Sequence, residues 1–216
     1  MTPEVVITGR GVVAPAGEGA DVFFDALTAR HSGIADGVGA CVEFDPERWM
    51  TPKEARRTDR YAQLAVAAAA QAAEEAGLPD GIEPERLGVV MGTGMGGLST
   101  LERECRNWLE KGDRGVSPHT VPMMMPNAAA GLIAMRLDAH GPGFQIGSAC
   151  ATGAHAIGEA ARMIQRGEAD VVVAGGAEAP LTGLAIAAFR GMGALSKEGV
   201  SRPFDARRDG DRKSVV

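Results

Sequence analysis

The chain is poor in several things, and each shortage removes a class of protein. Aromatic residues make up only 4%, while glycine is frequent and alanine runs dominate, a composition for helices packed tightly on a sheet rather than for disorder. Cysteine occurs three times, at 41, 105 and 150, which makes neither a disulfide framework nor a metal motif. No metal is therefore expected, and a reducing, cytoplasmic setting is. No apolar run approaches the roughly 20 residues of a spanning helix, and the first residues lack the charged-then-apolar order of a signal segment. A soluble protein without a membrane partner is expected. Basic residues are outnumbered, with a net charge of −6, which argues against nucleic acid as the main partner but leaves room for a local basic patch. The 216 residues suffice for one α/β domain or two small ones.

What is present alternates between strand and helix patterns. Apolar runs at Val5–Thr8, Leu87–Met91, Phe144–Ala149 and Asp170–Ala174 read as buried strands. Helical spacing is read over Ala20–Ala29, in an Ala-rich helix that follows the stretch Thr51–Arg60 and runs through Glu75 with Gly77 and Pro79 as the stop, over Leu98–Leu109, from Ala156 to Ile164, and over Pro180–Phe189. Gly33–Met50 and Ser201–Gly210 read as irregular. This order implies an α/β fold with a mostly parallel sheet covered on both faces.

Four stretches carry candidate chemistry. Cys150 sits where the third strand turns into a helix, beside free backbone N–H groups and the positive end of a helix dipole, a setting suited to an anionic nucleophile. Small neighbours, Ala149, Ala151 and Gly153, leave the sulfur uncrowded. A small cysteine packed into a corner fits the same spacing, so both readings stay open here. Lys53, Arg56, Arg57 and Arg60 recur at helical spacing, either as a solvated face or as a docking patch for an acidic partner. Gly92-Thr-Gly-Met-Gly-Gly97 matches the dinucleotide fingerprint after a strand, a weak signal in a glycine-rich chain with no acidic residue closing a βαβ unit. The methionines between Thr120 and Asn127 suit adaptable packing or a greasy pocket.

Taken together, Ser148-Ala-Cys150-Ala-Thr-Gly, Ile157-Gly-Glu-Ala, Ala174-Gly-Gly-Ala-Glu178 and Ser201-Arg-Pro-Phe-Asp resemble a β-ketoacyl-acyl carrier protein synthase. Val5-Ile-Thr-Gly-Arg-Gly-Val-Val-Ala-Pro, the glycine run and Ser117-Pro-His-Thr-Val-Pro fall in that family's order, so the resemblance spans residues 4 to 210. It is nearest to the elongating condensing enzymes of fatty acid synthesis and their aromatic-polyketide relatives. The resemblance implies a thiolase-like layered α/β/α/β/α fold, of which this chain supplies the N-terminal half as one incomplete domain, residues 1–210. It implies Cys150 as the nucleophile, Leu101 and Met124 as acyl-pocket residues with Met124 reaching across a homodimer, and Lys53, Arg56 and Arg57 as the docking site for acyl carrier protein. It sets aside the dinucleotide reading and calls for no cofactor. His155 is then a structural helix residue. The reaction implied is a decarboxylative Claisen condensation of a Cys150-bound acyl group with malonyl-carrier protein, the family's histidines and lysine coming from the second half.

Residues 211–216, Asp-Arg-Lys-Ser-Val-Val, resemble nothing in the family and translate a common sequencing-library adapter. A reading frame truncated by adapter read-through is therefore expected, with a short chain that is inactive and poorly folded alone. In that fragment Gly153, Ala156, Ala160 and Ala161 are expected to face water. The alternatives are a non-catalytic partner like a chain-length factor, against which Cys150 speaks, a structural carrier-binding half-domain, and a thiolase or initiating enzyme on the same fold.

Overall fold

A computed structural model describes residues 4–210; the adapter-like residues 211–216 lie outside them. The described residues gather into two compact units, one of residues 4–11 with Asp45–Glu178, the other of Val12–Phe44 with 179–210. In chain order the elements are β1 (Val13–Ala14), β2 (Gly17–Glu18), α1 (Ala20–Thr28), β3 (Ile34–Ala35), β4 (Val38–Gly39), α2 (Pro52–Ala55), α3 (Arg60–Ala76), β5 (Leu87–Gly92), α4 (Leu98–Lys111), α5 (Thr120–Met124), α6 (Ala128–Leu137), β6 (Gly143–Ile146), α7 (Thr152–Gln165), β7 (Val171–Gly176) and α8 (Gly183–Gly191).

The larger unit is built on β5. It is the middle of a three-stranded sheet in the order β6-β5-β7, parallel to both neighbours. All six of its residues are buried, as a continuous apolar run covered on two faces requires. Val90 packs with Ala156 and Met163 of α7. Side chains alternate along a strand, so Leu87, Val89 and Met91 point the other way. They are buried too, where α6, packed on α3, meets the sheet.

Local chemistry sets the helix ends. The Ala-rich helix expected through Glu75 is α3, and the stretch before it holds a short helix of its own. Thr51 and Glu54 form a reciprocal cap that starts the single turn of α2. Asp59 then restarts the helix: its Oδ1 accepts the Tyr61 N–H, and its Oδ2 accepts the Thr100 N–H at 2.8 Å and hydroxyl at 2.6 Å. That carboxylate, 3% exposed, joins the starts of α3 and α4. Gly77 closes α3 in the left-handed conformation, φ 70°. The cationic run is therefore not one helical stripe: Lys53 lies on α2, Arg56 and Arg57 follow it, and Arg60 sits on α3 donating to Gln63.

Three other expectations change. Val5–Thr8 is no strand; Val6 and Ile7 are 67% and 79% exposed. The segment rides on α3 instead, with Gly9 and Gly11 against the Ala72 and Ala68 carbonyls and Arg10 paired to Glu75 at 2.7 Å. The strand carrying Phe144 is not buried, because β6 is a sheet edge paired on one side among the described residues. Ala156 and Ala160 do not face water but turn toward the sheet, while Ile157 holds the exposed side of α7.

The smaller unit contains two short antiparallel ladders, β1–β2 and β3–β4, with α1 and α8. Its closing loop is tied by Asp209, which accepts the Ser196 hydroxyl and the Lys197 and Glu198 N–H groups. These donors, Ser196 first, hold its carboxyl below the usual range. Phe204, in that loop, is fully exposed. Among the described residues no helix is long and apolar enough to cross a membrane.

Tyr61 gives a direct test of the larger unit. It is fully buried, its hydroxyl donates to the Met125 carbonyl at 2.5 Å, and burial first, then the Asp59 charge, pushes its pKa up to about 12. The folded state thus holds this proton more tightly than the unfolded one. Stability is whole below the ordinary value of 10 and falls as pH rises toward 12. Tyr61 is the only tyrosine of the sequence. Its tyrosinate absorbance should appear near pH 12 in the folded chain and near 10 in urea; equal midpoints would show that Tyr61 is not buried.

Candidate functional site

Parallel pairing in register places Gly92, Ile146 and Gly176 side by side at the ends of their strands. Crevices beyond the carboxyl ends of parallel strands are the usual sites of α/β sheets. Three segments leave from this point: the elbow after β6, the glycine turn after β5 and the short run to Glu178 after β7.

The elbow is Gly147 to Ala151. Ala149 takes the left-handed conformation, φ 50°, which costs a non-glycine residue about 1–2 kcal/mol. A single 3-10 turn over Ala149–Ala151 then leads into α7. Thr152, buried, holds the corner by accepting the Ser148 N–H at 2.8 Å, and the Ser148 hydroxyl meets His155 Nδ1 at 2.7 Å. Cys150 is exposed. Among the described residues no acceptor takes its N–H and no histidine bonds its sulfur. An accessible thiol beside an uncommitted amide at a helix start can attack an electrophile and meet the oxygen charge that develops. His155 serves the corner rather than the sulfur.

The close approach of α7 to the sheet depends on two glycines. A Cβ on Gly176 would stand 3.0 Å from Gly153 Cα and 3.1 Å from its nitrogen, so the helix start sits against bare backbone.

The glycine turn is not an open cradle. The Gly94 and Met95 N–H groups donate to Glu178 Oε2 at 2.6 and 3.2 Å, and the Thr93 hydroxyl donates to Oε1 at 3.1 Å. The protein's own carboxylate occupies the place a phosphate would take in a nucleotide site. Gln145 of β6 donates to the Thr93 carbonyl from the other side. Glu178, Thr93 and Gln145 were not singled out from the sequence as site residues. A usable signal existed in a carboxylate placed just after one strand, with a glycine turn just after another.

Leu101 and Met124 come to the same neighbourhood. The Gly97 N–H donates to the Met124 carbonyl at 3.2 Å, and Leu101 lies one turn into α4 from Gly97. Leu101 is exposed and Met124 half-buried. Lys53, Arg56 and Arg57 are exposed and make no ion pair among the described residues. Cys105 is exposed on α4, and Cys41, half-buried, belongs to the smaller unit. Among the described residues no three metal-ligating side chains gather.

Residues 38–211 match the family described as "Beta-ketoacyl synthase, N-terminal domain". The chain is 40% identical over 224 residues to 3-oxoacyl-[acyl-carrier-protein] synthase 2 of Vibrio cholerae serotype O1, covering 95% of this chain and 54% of that protein. It therefore spans about half the length of the curated relatives it matches. A solved ishigamide ketosynthase/chain length factor superimposes with a TM-score of 0.84 at 30% identity, over 95% of this chain and 54% of that one. A beta-ketoacyl synthase from Burkholderia phymatum STM815 gives 0.78 at 31%, over 95% and 55%.

The glycine contact under the elbow is open to test. Gly176→Ala should push the α7 start away from β7 and lower stability by about 1–3 kcal/mol, the range for overpacking. Denaturant unfolding measures this; a change below 0.5 kcal/mol, the scatter of ordinary surface substitutions, would mean the contact has slack.

Proposed function

The chain belongs to the beta-ketoacyl synthase family, as its N-terminal domain, and we propose that it carries the acyl-accepting cysteine of a 3-oxoacyl-[acyl-carrier-protein] synthase. Its fold is thiolase-like α/β. The observation that carries the reading is Cys150, exposed at the elbow with its amide unspent.

The Cys150 thiolate attacks the carbonyl of an acyl-carrier thioester, and the carrier sulfur leaves as thiolate. Malonyl-carrier protein then loses carbon dioxide, and the resulting enolate carbon attacks the acyl-cysteine carbonyl. The carbon–carbon bond forms as the cysteine sulfur leaves as thiolate. The Cys150 N–H serves as one donor to the oxyanion of both steps. Leu101 and Met124 bound the acyl chain. Fatty acid elongation in the cytoplasm, by a homodimer, is the service we assign, supported by the 40% identity to a 3-oxoacyl-carrier protein synthase. We assign docking of acidic acyl carrier protein to Lys53, Arg56 and Arg57, supported by their exposure and lack of internal ion pairs.

Alkylation, acyl loading and carrier binding check this. Alkylation at neutral pH, mapped by mass spectrometry, should reach Cys150 before Cys41 and Cys105, and Cys150→Ala should abolish acyl loading; preferential labelling of another cysteine would remove the assignment. Replacing Lys53, Arg56 and Arg57 together by Glu should weaken carrier binding at least tenfold at low salt, while folding stability changes by only about 0.5 kcal/mol per exposed site. Unchanged affinity would take the patch out of the docking surface.

A further inference from the structure

We infer that Glu178 is a positioning residue: its carboxylate locks the glycine turn and thereby holds the wall of the acyl pocket in register with Cys150. The inference deepens the proposed function and rests on it for the meaning of the pocket.

The turn from Thr93 to Gly97 touches both halves of the site. On one side Gly94 lies against the elbow, where a Cβ on it would stand 3.6 Å from Ala149 Cα. On the other side Gly97 lies on the Met123–Met124 backbone, where a Cβ would come within 2.3 Å of the Met123 carbonyl. Its own N–H donates to Met124. Whatever fixes this turn fixes the distance from the cysteine corner to Met124. Three of its donors converge on Glu178, and the fourth, the Gly96 N–H, donates at 3.0 Å to the same Thr93 hydroxyl oxygen that Glu178 orients. Hydrogen bonds to an ionised carboxylate are roughly twice as strong as neutral ones, and this carboxylate is half-buried. Glu178 follows β7 by two residues, so the lock is anchored in the sheet that also carries the elbow. The wall has a second anchor in the Tyr61 hydroxyl on the Met125 carbonyl. Loss of Glu178 should therefore displace the wall relative to the cysteine while leaving the wall itself formed.

The test compares Glu178→Ala and Glu178→Gln with the unchanged full chain. Amide hydrogen exchange should quicken at least tenfold for Gly94 and Met95 in E178A, and the quickening should extend to Gly97. E178Q, whose amide oxygen still accepts two N–H groups, should change by threefold or less. The second readout is alkylation of Cys150 by iodoacetamide and by an iodoacetamide carrying a twelve-carbon chain. E178A should lower the long-to-short rate ratio at least fivefold, and E178Q should restore most of it. A role in stability alone would lower both rates together and leave the ratio unchanged, which would overturn the inference. Unaltered exchange at Gly94 and Met95 in E178A would overturn it as well. Should E178A fail to fold, Thr93→Val breaks the link from Glu178 to Gly96 alone, and an unchanged ratio in that variant counts against the lock. If Cys150 of the unchanged protein takes no acyl group from a carrier, the proposed function fails, while the exchange pattern still decides the lock.

Discussion

Everything at the candidate site depends on three parallel strands ending at one level. The pairings of Gly92 with Ile146 and with Gly176 put the two outer chain exits each one strand spacing from the central one. Parallel strands cannot be joined by tight hairpins, so each exit must feed a loop or a helix. Here the three exits deliver the elbow, the glycine turn and Glu178. The central strand can be wholly apolar because all its polar work is done by the ladder on both edges. Its end is then free to be glycine, which lets the next turn lie close to its neighbours.

The protein is acidic, and its carboxylates act repeatedly as acceptors for backbone donors of distant segments. Asp59 takes the Thr100 amide and hydroxyl, tying α4 to α3. Glu104, 5% exposed, takes the Ser117 N–H at 2.9 Å, and that donor, with Arg103, holds its carboxyl below the usual range. Glu178 takes the glycine turn. Each replaces a backbone partner that irregular segments cannot find in a helix or sheet, as buried polar groups require. The same logic explains why the glycine run is no nucleotide site: its amides already face an anion supplied by the chain itself.

Much of this was legible in the sequence where the signal is local. The apolar run of β5, the stop at Gly77 and the strand-to-helix change at Cys150 follow from period and punctuation, and the structure has all three. The failures share a cause, in that each turned on a partner remote in sequence. The cations from Lys53 to Arg60 share helical spacing, yet Asp59 divides them, starting α3 through the Tyr61 N–H while its other oxygen holds Thr100, far along the chain. Val5–Thr8 has strand composition, yet its neighbours are held on α3 through Arg10 and Glu75. Ala156 looks equally fit to pack on a helix or a sheet, and only the position of Val90, remote in sequence, decides which it meets. Glu178 is likewise silent until the strand order brings it beside Thr93.

The geometry of the elbow also explains why the cysteine stands where it does. A residue inside the regular part of α7 would spend its N–H on the helix ladder, and a β6 residue whose N–H faces β5 would spend it there. At the irregular step between them, with Ala149 in the left-handed region, the chain leaves the Cys150 amide unspent beside an accessible side chain. That irregularity costs energy, and the corner persists because it is over-determined: Thr152 bonds Ser148 from inside, His155 meets it from outside, and Gly153 sits on Gly176 below. A strained corner held by several neighbours keeps one shape rather than relaxing. That is the physical sense in which the small residues around Cys150 matter: a Cβ on Gly176 would press on the Gly153 Cα and nitrogen, and so on the start of α7.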